Sequence, residues 1–180
     1  MNHNIEDRIR QAVIEGKEAR SAYYLAIELL DQQQLGLPSN STLLSELETQ
    51  LGYHLPPSYR IFLTLFDGWR MVDGAMDLLS IEEMSEGPRK ESIIKWKRKA
   101  KESGDIVAFR SLVIGLSEIT PTKLLLDPEV VDEDGEWRIV QHHKDEECEY
   151  PSFLIWLEES VHEFRELQRL ENEENINSTS

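Results

Sequence analysis

The run Leu51-Gly-Tyr-His-Leu-Pro-Pro-Ser-Tyr-Arg-Ile-Phe-Leu-Thr-Leu-Phe-Asp-Gly-Trp69 constrains the fold more than any other stretch of this chain. It reads as a helix end, a rigid corner, a second helix and a stop. Leu44, Leu47 and Leu51 share one face of the first helix, and Gly52 can take the left-handed conformation that ends it. Pro57 suits the first turn of the next helix, where its missing N–H is no loss. Tyr59, Phe62, Leu63 and Phe66 recur at i, i+3, i+4 and i+7, which predicts a buried stripe. Gly68 closes the unit. This is a packing motif and carries no chemistry of its own.

The flanking chain supplies helices first and strands later. Residues 5–34 keep roughly helical spacing through Ile5, Ile9, Val13, Ala19, Tyr23, Ile27 and Leu30, with Gly16 a weak point. Leu35-Gly-Leu-Pro-Ser-Asn40 predicts the stop. Met76–Leu79 reads as a short strand, and Ser80-Ile-Glu-Glu83 has the spacing of a capping box, with Pro88 in the first turn of a further helix. The segment 105–114 is β-rich in character. Two more strands follow, joined by the acidic turn Asp127–Gly135, and a last helix spans about 153–170 before a polar tail. The expected class is α+β: a mostly antiparallel sheet of about four to six strands flanked by N-terminal helices and a C-terminal helix. Residues 1–38 read as a helical extension that docks on the domain at 39–172, with 173–180 as the tail.

Charge narrows the function classes. The 180 residues hold 35 Asp and Glu against 19 Lys and Arg, a formal net charge of −16. Such a surface disfavours nucleic acid and anionic membrane and favours a basic protein partner. The exception is 89–101, where Arg89, Lys90, Lys95, Lys97, Arg98, Lys99 and Lys101 cluster; a solvated helix face paired with the acidic excess accounts for it better than RNA contact. Cys148 is the single cysteine, no stretch approaches the ~20 apolar residues of a spanning helix, and no secretory signal pattern opens the chain, so a cytoplasmic setting is expected.

Catalytic motifs are missing. There is no nucleophile elbow, phosphate-binding loop or dinucleotide fingerprint. His142-His143-Lys144-Asp145-Glu146-Glu147-Cys148 holds metal-ligand types, but adjacent histidines in a strand point to opposite faces. A polar strand end with no metal and no cofactor is the expected reading, and the chain reads as a non-enzyme. Trp69 beside Arg70 is either an exposed interface anchor or a tryptophan closing the core edge.

The Leu51–Trp69 run resembles the SUKH superfamily, the SMI/KNR-like domains, in Leu51-Gly52, Leu55-Pro56, Tyr59, Phe62-Leu63 and Gly68. The likeness continues in order through Leu112–Leu116, Lys123–Asp127 with its terminal Asp127, Glu136–Val140, and the closing Phe153, Trp156 and Leu157. The long basic segment after Met84 and the loop Leu116–Pro121 depart from the family pattern. The resemblance implies a sheet with flanking helices and, for bacterial members, an immunity protein that neutralises a polymorphic toxin, often a nuclease or deaminase, by direct binding. The other implied role is a regulatory scaffold of the cell-wall-signalling type. For a basic toxin, the acidic residues Asp132, Glu133, Asp134 and Glu136, then Asp145, Glu146, Glu147 and Glu149, are the expected contacts, with Trp69 and Arg70 as a second candidate patch.

Overall fold

The start and stop signals around Leu51–Trp69 form as the sequence predicts in a computed structural model, which describes residues 4–144 and 146–178. Helix α2 (Ser41–Leu51) ends on Gly52 at φ +78°, and α3 (Pro57–Leu65) begins on its proline. Tyr59, Phe62 and Leu63 are fully buried, and Phe66 is half-buried at the stripe's end. Gly68 stands at φ +93°, where a Cβ would come within 2.9 Å of the Leu78 carbonyl oxygen, so only glycine lets the chain pass this close to the next strand.

Helix α1 (Ile5–Ala26) precedes this unit and the two-residue strand β1 (Gln34–Leu35). Strands β2 (Trp69–Arg70) and β3 (Met76–Leu78) follow α3. The capping box at Ser80 and Glu83 opens α4 (Ile81–Ser85), and α5 (Gly87–Ser103) carries Pro88 in its first turn. Next come α6 (Ile106–Arg110), β4 (Leu112–Ser117), β5 (Lys123–Val131), β6 (Trp137–His143), β7 (Glu146–Tyr150) and α7 (Phe153–Ser178). The strands form one antiparallel sheet in sequence order, β1 to β7.

The α+β class and the antiparallel sheet hold, but seven strands replace the expected four to six. The additions are the two-residue ladders β1 and β2 and the edge strand β7. Residues 105–114 also divide differently. The Asp105 side chain accepts from the Ala108 amide (2.9 Å) and starts α6, so a cap overrides the β-branched Ile106 and Val107. Helix α1 stops at Ala26 instead of 34, and Leu30 is exposed rather than part of its stripe. Helix α7 runs through the polar tail to Ser178, with Arg169 paired to Glu166 and Glu173 on its surface.

Side-chain alternation places helices on both faces of the sheet. Gln141 accepts from Trp156 Nε1 (3.2 Å) on α7, while its neighbour His142 faces Asp105 at the start of α6. Strand β4 is therefore buried along its whole length. Helix α1 packs against α7 and α3 with Ile9 and Val13 fully buried, so the N-terminal helix docks as expected. Gly16 is the reason it can approach closely: a Cβ there would lie 2.8 Å from Arg20 Nη1 and 3.5 Å from the Trp69 ring.

Candidate functional site

The acidic run after β6 folds back toward the acidic turn after β5, because β6 and β7 form a hairpin. Residue pairs run from His143 opposite Glu146 to Ile139 opposite Tyr150. Glu149 therefore returns toward the β5–β6 turn, and Glu146 stays at the far end of β6. One acidic run thus forms a tip at the start of β6, and the other forms an edge that runs from the far end of β6 back toward that tip.

The tip is organised by Asp132. Its Oδ1 accepts from the amides of Asp134 and Glu136, both at 2.9 Å, and Gly135 takes φ +80° to close the turn. Glu133 and Asp134 project into solvent. Glu136 does not. It is buried, with its carboxylate accepting from the Ser58 amide (2.8 Å) and the Ser58 hydroxyl (2.6 Å) at the first turn of α3. There it satisfies a helix N-terminal donor and removes itself from the contact set. Burial pushes its carboxyl above the usual range, aided by Asp132 and Asp134 and opposed by the Ser58 bonds.

The edge is β7, exposed from Glu146 through Glu149. Glu147 and Glu149 share a face with Arg138 and His142, whereas Glu146 and Cys148 face the α7 side. Asp145 lies outside the described residues. Glu149 pairs with Arg138 (2.7 Å), and Arg138 also reaches Asp127 (2.6 Å), which a second arginine, Arg110, grips through both carboxylate oxygens (2.8 and 2.6 Å). Asp127, the family-type strand-end aspartate, is thus a buried anion between two guanidiniums that fasten α6 and β6 to β5. Between tip and edge lies a groove of about 390 Å³ lined by Val130, Val131, Asp132, Arg138, Glu149, Tyr150 and Pro151. The reading from sequence missed its apolar floor. The signal was Val130-Val131 standing directly before the acid run.

Burial alone would raise the Asp127 carboxyl, but Arg110, Arg138 and the Glu129 amide outweigh it and hold the group below the usual carboxylate range. A depressed folded value means stability that is complete above the unfolded carboxylate range, near pH 4, and lost as pH falls through the folded value. Denaturant midpoints of the wild type and Asp127→Asn should therefore differ most at neutral pH and converge in acid. A gap that stays constant with pH would refute this role.

Trp69 is not an exposed anchor. It is 1 % exposed, because α1 lies over it and stacks Arg20 on its ring with 5.0 Å from Cζ to the centroid. Arg70 keeps partial exposure but is engaged by Asp77 (2.9 Å) and Glu83 (2.6 Å). Helix α5 spends part of its basic charge internally: Arg89 joins Asp77 and Glu83, Lys97 donates to the Ser111 carbonyl (2.8 Å), and Lys101 covers Phe109. Lys95, Arg98 and Lys99 face solvent.

The sequence cluster around His142 divides between the two sheet faces, His142 with Glu147 and His143 with Cys148. His143 is held by Thr122 (2.7 Å). Asp105 joins His142 and Glu147 instead, with one donor atom from each within 4.8 Å of the others. His142 Nε2 lies 3.7 Å from Asp105 and 4.0 Å from Glu147, close but beyond hydrogen-bond distance of either carboxylate. Two carboxylates and one imidazole are also ligand types for a divalent cation. The single thiol, Cys148, stands on the opposite face from His142.

Among the described residues, no helix is long and apolar enough to cross a membrane. A search of curated proteins found no match. A family model, SMI1/KNR4 family (SUKH-1), matches residues 38–170, the span that begins before α2 and ends within α7. That match covers well over half of the chain and contains the α2–α3 corner, every strand from β2 onward and Asp127, so the chain belongs to the SMI1/KNR4 family (SUKH-1).

Proposed function

We propose that this chain is a non-enzymatic, cytoplasmic binding protein of the immunity type, which neutralises a polymorphic toxin by covering a basic surface of its toxic domain. The observation that carries the reading is the groove at the sheet edge: an apolar floor of Val130, Val131 and Tyr150 with Asp132 and the Arg138–Glu149 pair in its wall, flanked along the chain by the exposed acids Glu133, Asp134 and Glu147. An apolar centre with a charged rim is the anatomy of a protein interface, and the acidic rim suits a toxin whose substrate is nucleic acid. Structural duties remove Glu136 from the rim and assign Asp132 to the turn, so the exposed acids carry the contact.

The test begins with the genes beside this one: a polymorphic toxin gene is expected there, and its toxin domain is titrated with this chain. Inhibition should saturate at a fixed ratio, and the association rate should fall as salt rises. Reversing Glu133, Asp134 and Glu147 together to Lys should weaken binding at least about tenfold while leaving circular dichroism unchanged, since exposed acids contribute little to stability. Unaltered affinity would exclude this edge. Protection at well below equimolar protein would refute stoichiometric binding. A salt-insensitive association with an acidic partner would favour the scaffold role that the family also contains.

A further inference from the structure

We propose that the outer edge of β7 receives an extended basic segment of the partner as an added strand, templated on Glu146–Tyr150. This rests on the binding reading above and specifies how the partner attaches. Strand β7 is the last in the sheet, and β6 is its single strand neighbour. A strand offers alternate backbone N–H and C=O groups to each side, so its outer row faces away from the sheet. Among the described residues, no backbone or side-chain group bonds to that row. Nor do helices cover it: Glu146, Glu147, Cys148 and Glu149 are exposed on both faces, whereas β4 at the sheet centre is buried throughout. The opposite edge offers no comparable template, because β1 has two residues. Five residues in β7 match an ordinary strand.

The side chains specify the occupant. Glu147 and Glu149 line one face of the edge and Glu146 the other. Like charges directly across a strand pair repel, which opposes pairing with a second copy of this chain. Lys or Arg at alternate positions of an incoming strand would lie together on the face of Glu147 and Glu149, while the main chain supplies the hydrogen bonds. The groove of Val130, Val131, Tyr150 and Pro151 adjoins the Tyr150 end and would seat one apolar side chain of that strand, fixing its register.

The probe is a synthetic peptide, Lys-Thr-Lys-Val-Lys-Thr-Lys-Val, with two versions N-methylated at alternate residues in either frame. All three carry the same charge. Methyl groups facing β7 block strand addition, and those facing away do not. The expected result is that one frame lowers affinity for the full chain at least about tenfold and the other leaves it nearly unchanged. The unmethylated peptide should also slow amide exchange at alternate residues of Glu146–Tyr150. Equal binding of all three peptides, no binding at millimolar peptide, or unchanged exchange would overturn the proposal. So would sedimentation showing that β7 instead joins two copies of this chain. Repeating the exchange measurement with the toxin domain that the proposed function expects in a neighbouring gene separates the two claims. Toxin binding without protection of β7 removes strand addition alone, and no toxin binding removes the immunity reading.

Discussion

Phe62→Ala should cost about 3–5 kcal/mol and lower the melting temperature on the order of 10 °C. Phe62 is fully buried where α3 meets α7, with ring centroids 5.0 Å from Phe153 and 6.2 Å from Tyr59. Phe153 in turn lies 5.0 Å from Tyr59 and 5.6 Å from Trp156, so one truncation opens a cavity bordered by rigid rings that cannot collapse into it. Phe66, the half-buried end of the stripe, is the control. Phe66→Ala should cost distinctly less, because solvent can fill part of the space it leaves. Chemical denaturation of both variants checks this, and equal losses would mean that the buried face of α3 has been assigned wrongly.

Arg20→Ala should be nearly as damaging, at about 3–4 kcal/mol. Arg20 is 1 % exposed, and its guanidinium lies between the rings of Trp69 (5.0 Å) and Phe164 (4.5 Å). It donates to the carbonyl of Val72, to that of Gly16 (3.0 Å) and to the Ser160 hydroxyl (3.0 Å), joining α1 to the β2–β3 connection and to α7. Burial pushes the group down to about 10, so it remains charged at neutral pH. Truncation would leave both a void and the Val72 carbonyl without its guanidinium donor. Arg20→Met keeps most of the volume and should lose about half as much, since a buried charge contributes little beyond its packing once its desolvation is counted. The readout is unfolding by denaturant together with tryptophan emission, which should shift to the red in the alanine variant as Trp69 gains water. An alanine variant as stable as the wild type would show that α1 docks without this contact.

Much of the architecture was legible because the signals are local. Gly52, Pro57, Pro88 and the Ser80–Glu83 box each work within one turn of chain, and each forms as read. The strands β4 to β6 announce themselves as apolar runs because helices bury them. Strand β7 did not. Exposed on both faces, it needs no apolar alternation, and Glu-Glu-Cys-Glu is indistinguishable from a solvated turn until β6 is seen to pair with it. Residues 105–114 failed for the converse reason. Ile106 and Val107 have β character, yet one side-chain bond from Asp105 is enough to start a helical turn.

The candidate site shows the same division. The acidity of residues 132–149, the lone Cys148, the missing catalytic constellation and the SUKH-type order of motifs are properties of the sequence alone. Which of those acids are free is not. Glu133 and Glu136 are chemically identical and three residues apart, but Ser58 draws Glu136 into the interior while Glu133 stays in water. Trp69 was open to two readings until α1 brought Arg20 across its ring. Caps, turns and charge depend on neighbours within a few residues, so the sequence by itself determined them. Burial and ion pairing depend on residues that the chain brings together from far apart, and those only the tertiary structure decided.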